Sequence, residues 1–268
     1  MAFLSGWSYR KSITLSRASG EVTNYQMKLL VGESSGATGE DVDCDSKVLS
    51  SFDDLRFTTS DGTTLLDYWI ESITGDTPNK LATVWIEFGT IGEGATTFYM
   101  YYGHADAPAV SSGANTFIVF DDFERGIDGD TVGGSWTEVG AHCHISTEQK
   151  YGGTRSMKLV GAAPIVPYST IPVTKSDNIA IRYRVYKETL ATTVTAHGDG
   201  TNLLYCQTTP AEVVQVYNGA AYVAAGSISA DTWQLMEFRN FVWATPVCDV
   251  YENEALGKAA ADISYGAA

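Results

Sequence analysis

Asp53–Glu71, read as DDLRFTTSDGTTLLDYWIE, decides the fold of this chain. Leu55, Phe57 and Thr59 alternate with polar neighbours on the way in, and Leu66, Tyr68 and Ile70 alternate on the way out. Between them Ser60-Asp61-Gly62-Thr63 supplies an Asp-Gly pair, which tolerates the positive φ angles of a tight hairpin turn. Side chains that recur every second residue lie on one face of a strand, and a run of this length does not fit the helical period. The stretch therefore predicts one β-hairpin. Its charged residues, Asp53, Asp54, Arg56, Asp61, Asp67 and Glu71, are expected at strand ends, in the turn or on a polar face. It offers no chemistry of its own.

The same texture extends on both sides. Before and after the hairpin come WSYRKSITL, YQMKLLVG, ATVWIEFGTI and TTFYMYYG, short apolar runs separated by turn signals, as an all-β sandwich requires. Residues 104–115, HADAPAVSSGAN, are small, polar and proline-containing, which suits a connection. Beyond them SMKLVG, NIAIRYRVYK, NLLYCQT, VVQVYNG, TWQLMEFRN and VCDVYENE continue the strand rhythm. Ile179, Ile181, Tyr183 and Val185 alternate with Ala180, Arg182 and Arg184, a strand with one buried and one cationic face. Val250–Leu256 reads as strand, tight turn, strand, with Asn253 marking the turn. The expected fold is all-β, two antiparallel jelly-roll-like β-sandwiches in tandem. Their bounds are a first domain over 1–103, a linker over 104–118 and a second domain over 119–268.

Charge and composition exclude several partners. The formal net charge is −15 at pH 7, so phosphate backbones and anionic lipid are repelled and nucleic acid is not an expected partner. No run of eighteen apolar residues is present, so no membrane-spanning helix is expected. The opening MAFLSGWSYRKSITL lacks a basic segment followed by an apolar one, so export by a leader is not expected for the chain as it stands. Cys44, Cys143, Cys206 and Cys248 are widely spaced without a C-x-x-C pair, and free buried thiols are the preferred reading.

Six blocks carry a family resemblance: Trp7–Lys11 with Ile13, Thr23–Gln26, Asp54–Thr58, Ser60–Thr63, Tyr68–Glu71 with Ala82–Trp85, and Tyr99–Gly103. In this order they resemble the domain of unknown function 2341, a β-sandwich module. That resemblance implies a part of large prokaryotic surface proteins or of phage-type reading frames, and brings no catalytic residues with it. Phe120-Asp121-Asp122-Phe123-Glu124, Gly134-Ser135-Trp136, Tyr151–Leu159 and the Val250–Leu256 hairpin resemble concanavalin-like, laminin-G-type jelly rolls. In such domains a final strand returns beside the first. Here that strand is expected to be missing or supplied by a neighbour.

Candidate sites are few. Asp121, Asp122, Glu124, Asp128 and Asp130 offer hard oxygen ligands near a strand and a Gly-rich loop, and could supply part of a structural calcium site. The plain alternative is an acidic loop, as it is for Asp41, Asp43 and Asp45. His142 and His144 would share a strand face, but no third zinc ligand lies nearby in the sequence. Glu252 and Glu254 are the nearest imitation of a glycosidase pair. Trp69, Trp85, Trp136 and Trp243 are the candidate ligand-binding aromatics, because sugar rings stack on indole faces. Trp69 lies opposite Tyr68 and Ile70 on its strand, so one of those faces is exposed or covered by the neighbouring domain.

The expected function is a non-enzymatic structural and adhesion protein of a virion surface, a capsid decoration, fibre or tail appendage with a lectin-like domain. Its expected partners are other copies of itself, other surface proteins and glycans, with no cofactor beyond a structural Ca2+. One alternative is an adhesive module of a secreted cell-surface protein, and another is a polysaccharide-active enzyme on a jelly roll.

Overall fold

A computed structural model describes residues 3–139, 143–160, 168–172, 179–188, 193–198, 203–217, 220–242, 244–245 and 247–262. The chain is all-β, built almost entirely from antiparallel sheets, and divides into two compact units, Met1–Asp121 and Asp122–Ala268.

The first unit holds β1 (Tyr9–Arg17), β2 (Val22–Gly32), β3 (Val42–Asp43), β4 (Arg56–Thr58), β5 (Leu65–Leu66), β6 (Tyr68–Thr74), β7 (Leu81–Ile91) and β8 (Gly94–Tyr102). They form two four-stranded sheets, ordered β1-β8-β4-β5 and β3-β2-β7-β6. Only the short β2–β3 pair is parallel among the described ladders of this unit. The sheets face each other across one core. Phe57, Phe98, Met100 and Tyr102 come from one, and Leu29, Val31, Tyr68, Val84, Ile86 and Phe88 from the other. In β7 each second residue is buried, the period expected of a strand with one face on a core.

The Asp53–Glu71 stretch is not one hairpin. Its first half is: Phe57 pairs with Leu66 and Thr58 with Leu65. After Leu66 the chain leaves that sheet at Asp67, whose carbonyl accepts from the Glu87 amide at 2.9 Å, and β6 pairs with β7 in the opposite sheet. Leu66 and Tyr68 thus reach one core from opposite sides. Period-two alternation reports which side chains face inward and not which sheet they belong to, so the crossing is invisible to it.

The turn also differs from the two-residue form. The Thr59 amide donates to Thr64 O at 2.9 Å across a wider loop, within which only Gly62 takes a positive φ, 82°. Asp61 closes it from inside. Its carboxylate accepts from the Thr64 hydroxyl and from the amides of Thr63 and Thr64, and these bonds hold it well below the usual carboxylate range.

Residues 104–118, expected as a linker, pack along the first unit. The Arg56 guanidinium donates to Pro108 O at 2.7 Å, the Ser112 amide donates to Tyr68 O, and the Ile70 amide donates to the Ser111 hydroxyl. A short helix α1 (Gly113–Thr116) follows, N-capped by Ser112. The run from Phe117 to Glu124 has no regular structure. The loop over 33–50 closes one end of the core with Cys44 and Val48, and Lys11 clamps it by ion pairs to Asp43 and Asp45 at 3.0 and 3.1 Å.

The second unit holds β9 (Thr137–Val139), β10 (Cys143–Ser146), β11 (Ser156–Leu159), β12 (Tyr168–Thr170), β13 (Ile181–Val185), β14 (Thr193–Gly198), β15 (Leu203–Thr208), β16 (Val213–Tyr217), β17 (Tyr222–Ser227), β18 (Gln234–Val242), β19 (Val247–Glu252) and β20 (Ala255–Asp262). Its four-stranded sheets are ordered β13-β18-β19-β20 and β14-β15-β16-β17, with β9–β12 and β10–β11 as separate pairs. Val214, Val216 and Ala225 from one sheet meet Met236, Phe238, Phe241, Cys248 and Val250 from the other. Ile181, Tyr183 and Val185 of β13 pack against them, so the alternation read from the sequence places its buried face correctly. The late hairpin is also as expected. Asn253 and Glu254, at φ 48° and 68°, form the two-residue turn between β19 and β20.

Candidate binding site

The polar residues of the Asp53–Glu71 stretch that matter most are buried. Asp54 is fully inaccessible: one carboxylate oxygen accepts from the Leu49 amide at 3.0 Å, the other from the amides of Gly103 and His104 at 2.7 and 3.3 Å. Its carbonyl accepts from the Trp7 indole at 2.7 Å. Arg56 is also buried. It donates to the carbonyls of Asp53, Leu55 and Pro108 and to the Tyr68 hydroxyl, with Trp7 stacked 5.1 Å from its guanidinium carbon. The sequence had suggested strand ends, the turn or a polar face for these charges; Arg56 does open β4, but both residues are buried. A buried charge is tolerated only when its hydrogen-bonding capacity is met, and here the pair joins Trp7 ahead of β1, the 44–55 loop and the 103–108 segment.

Trp69 and Trp85 are brought together as cross-strand partners, but they do not form an open platform. Phe117 and Phe120 cover them, with ring centroids 5.7 and 4.8 Å from Trp69 and Phe117 5.8 Å from Trp85. The Trp85 indole donates to Glu71 at 2.9 Å. The cover expected from a neighbouring domain comes from the unit's own 111–120 segment. Trp136 is half-buried beside Phe123, and Trp243 lies outside the described residues.

The five carboxylates considered for calcium are not gathered. Among the described residues no three His, Cys, Asp or Glu side chains converge as a metal group. Glu124 accepts from the Thr154 hydroxyl and from the amides of Thr154 and Arg155 at 2.6–2.8 Å, and Asp128 accepts from the Thr147 amide and hydroxyl. Asp130 accepts from the Ile127 amide, and Asp122 from the Glu124 amide. Asp121 is half-buried, the last residue of the first unit. Burial alone would raise the Glu124 carboxyl, but the Thr154 and Arg155 donors outweigh it and hold the group below its ordinary value. His142 lies outside the described residues, and His144 is half-buried on β10. Glu252 accepts from Ser227 and Gln234, and Glu254 pairs with Arg182 at 3.5 Å. Cys44, Cys143 and Cys248 are buried thiols, and burial pushes the Cys44 thiol far above its usual range.

Glu124 and Asp128 instead brace the two ends of the loop over 147–155. Gly153 permits this: its φ is 63°, and a Cβ there would meet a Glu124 carboxylate oxygen at 2.3 Å. The loop carries Tyr151, 53% exposed, to the edge of an aromatic cluster that sequence reasoning missed. Trp233 lies at its centre, 6.2 Å from Tyr151 and 5.5 Å from Tyr186 by ring centroids. The Arg184 guanidinium stacks 3.7 Å above the Tyr151 ring. Tyr186 and Trp233 follow and precede the Val185–Gln234 pair that ends the β13–β18 ladder, so they face each other across its mouth. The Asp231 amide donates to Lys187 O at 2.8 Å, and the Tyr186 hydroxyl lies 3.4 Å from the Asp231 carboxylate. One signal could have found this ledge. Extending the alternation of Arg182 and Arg184 by two residues places Tyr186 on the same face, away from the core.

Comparison with known proteins reaches part of the chain. Residues 51–139 match the family model described as Domain of unknown function (DUF2341). The match begins just before Asp54, includes Arg56, β8 and the 104–121 segment, and ends with β9 in the second unit. It supports the first of the two resemblances drawn from the sequence. No curated protein and no solved structure matches the chain.

Proposed function

We propose that the protein is a non-enzymatic structural and adhesion protein of a virion surface, and that its second unit attaches to glycans. The observation that carries this reading is the Tyr151–Trp233–Tyr186 ledge, three aromatic rings edged by charged groups, with Tyr151 and Asp231 exposed. Pyranose rings offer apolar C–H faces to aromatic rings and hydroxyls to polar groups at the rim, and aromatics with an apolar body and a polar tip suit a wet surface. The jelly-roll resemblance of the second segment agrees with this use. In the first unit the family-matched residues Asp54 and Arg56 turn inward and serve the framework, which suits a scaffold that presents its neighbour.

The test is retention of the full chain on a glycan array, with the eluted glycans analysed for cleavage. Retention of intact glycans, lost in Trp233→Ala, is the expected result. Cleaved products would overturn the non-enzymatic part. Absence of retention on every glycan would overturn the attachment part and leave a purely structural role.

A further inference from the structure

We infer that the ledge takes uncharged hexopyranose units, stacked on Trp233 and Tyr186 with their hydroxyls donating to Asp231. This rests on the reading of the second unit as a glycan-attachment module, and goes on to say which glycans it accepts. Trp233 and Tyr186 are tilted by 51°, so a ring lying on one meets the edge of the other. Asp231 stands beside them with an exposed side chain and a φ of 53°, a conformation that Asp and Asn enter more readily than most residues. Its backbone is held by the bond to Lys187 O, and its carboxylate has acceptor capacity beyond the Tyr186 hydroxyl. A fixed carboxylate beside an aromatic face recognises neutral sugar hydroxyls, which donate to it.

The same carboxylate repels an acidic sugar, and it does not act alone. Glu188 is exposed two residues from Tyr186. Burial first, then the charge and hydrogen bond of Asp231 and the charge of Glu188, push the Tyr186 phenol above its ordinary value. Two cations share this strand face: Arg184, whose guanidinium is stacked on Tyr151, and Arg182, which pairs with Glu237 and Glu254. The molecule as a whole carries a net −15, which adds to the repulsion of an approaching anion.

The experiment is titration calorimetry of the full chain against two panels, neutral hexose oligosaccharides and their sialylated, uronate or sulfated counterparts, at physiological salt. Trp233→Ala, Asp231→Asn and Arg184→Gln are compared with the parent. The expected result is binding of neutral members only. Trp233→Ala should weaken it by about tenfold or more and Asp231→Asn by about fivefold. Asn fits the backbone at 231 and keeps one acceptor oxygen, so a loss there reports the carboxylate's charge and second acceptor oxygen rather than misfolding. Preferential binding of anionic glycans that Arg184→Gln abolishes would overturn the inference while leaving glycan attachment intact. Neutral binding that survives both Trp233→Ala and Asp231→Asn would overturn it too, by placing the site elsewhere. No binding to either panel would sink the inference together with the reading beneath it.

Discussion

At the scale of single residues, Asp54 and Arg56 show why a charged side chain in a strand-like run need not be on the surface. Asp54 meets the nearby Leu49 amide and the distant amides of Gly103 and His104, and Arg56 meets three carbonyls and a phenol. Replacing Asp54 by Ala would orphan those three donors in a buried setting. Hydrogen bonds to charged groups are worth roughly 1.5–3 kcal/mol each, and orphaned donors add their own desolvation cost. Asp54→Ala should therefore destabilise the first unit by about 3–5 kcal/mol. Urea denaturation of the full chain, followed by hydrogen exchange of peptides from β2 and β7, measures this. A loss below about 1 kcal/mol would mean that water replaces the carboxylate and that the residue is not a framework element. Little of this was legible in the sequence. In Asp54-Leu55-Arg56-Phe57 the alternation names Leu55 and Phe57 as core, and only the fold shows that the intervening charges are buried and meet partners 49 and 52 residues away.

At the scale of elements, two segments without strands decide what is exposed. The first is the 104–121 strap. Its Phe117 and Phe120 cover Trp69 and Trp85, so a Phe117→Ala, Phe120→Ala double variant should uncover both indoles. The expected outcome is red-shifted tryptophan emission, greater quenching by acrylamide, and a stability loss of about 3 kcal/mol for the two half-buried rings. Unchanged emission would show that the strap does not shield these indoles in solution. The second segment is the 147–155 loop, held by Glu124 and Asp128. The Glu124 carboxyl has its pKa depressed in the folded state, so it stabilises the protein above its ordinary pKa. That contribution is lost as pH falls through the depressed folded value. The Thr154 and Arg155 amide resonances should then titrate together, with a midpoint below the ordinary value of about 4.3. A midpoint at or above that value would remove Glu124 as the brace. Gly153→Ala should loosen the same loop and with it Tyr151, because both the backbone conformation and the space beside Glu124 exclude a Cβ. These roles escaped a reading of the sequence. Carboxylates clustered in a chain suggest a metal, whereas their partners lie on another loop that the linear order does not reveal.

At the scale of the whole molecule, the fold class was legible and the surface was not. Alternation and turn residues report burial and chain reversal, which suffices for β-sandwiches. Which sheet a strand joins depends on where the chain crosses, as at Asp67, and the ledge depends on Tyr151, Tyr186 and Trp233 meeting from three segments. Net charge, by contrast, needs no fold, and it makes the last prediction. A charge of −15 carried on one folded chain repels itself. Screening reaches about 30 Å at 0.01 M salt but only about 8 Å at 0.15 M. Salt also weakens ion pairs such as Lys11 with Asp43 and Arg155 with Glu124, but those are partly exposed pairs, each worth about 0–1 kcal/mol. The long-range repulsion should outweigh them. Raising salt from 0.01 to 0.15 M should therefore raise the melting temperature by about 2–4 °C, if repulsion contributes about 1 kcal/mol. The same screening should narrow the preference for neutral over anionic glycans at the ledge, most between 0.01 and 0.15 M. The part set by Asp231 and Glu188 at contact range should persist. A melting temperature that falls with salt would show that local ion pairs dominate. A glycan preference that vanishes at 0.15 M would assign it to the net charge instead of to Asp231.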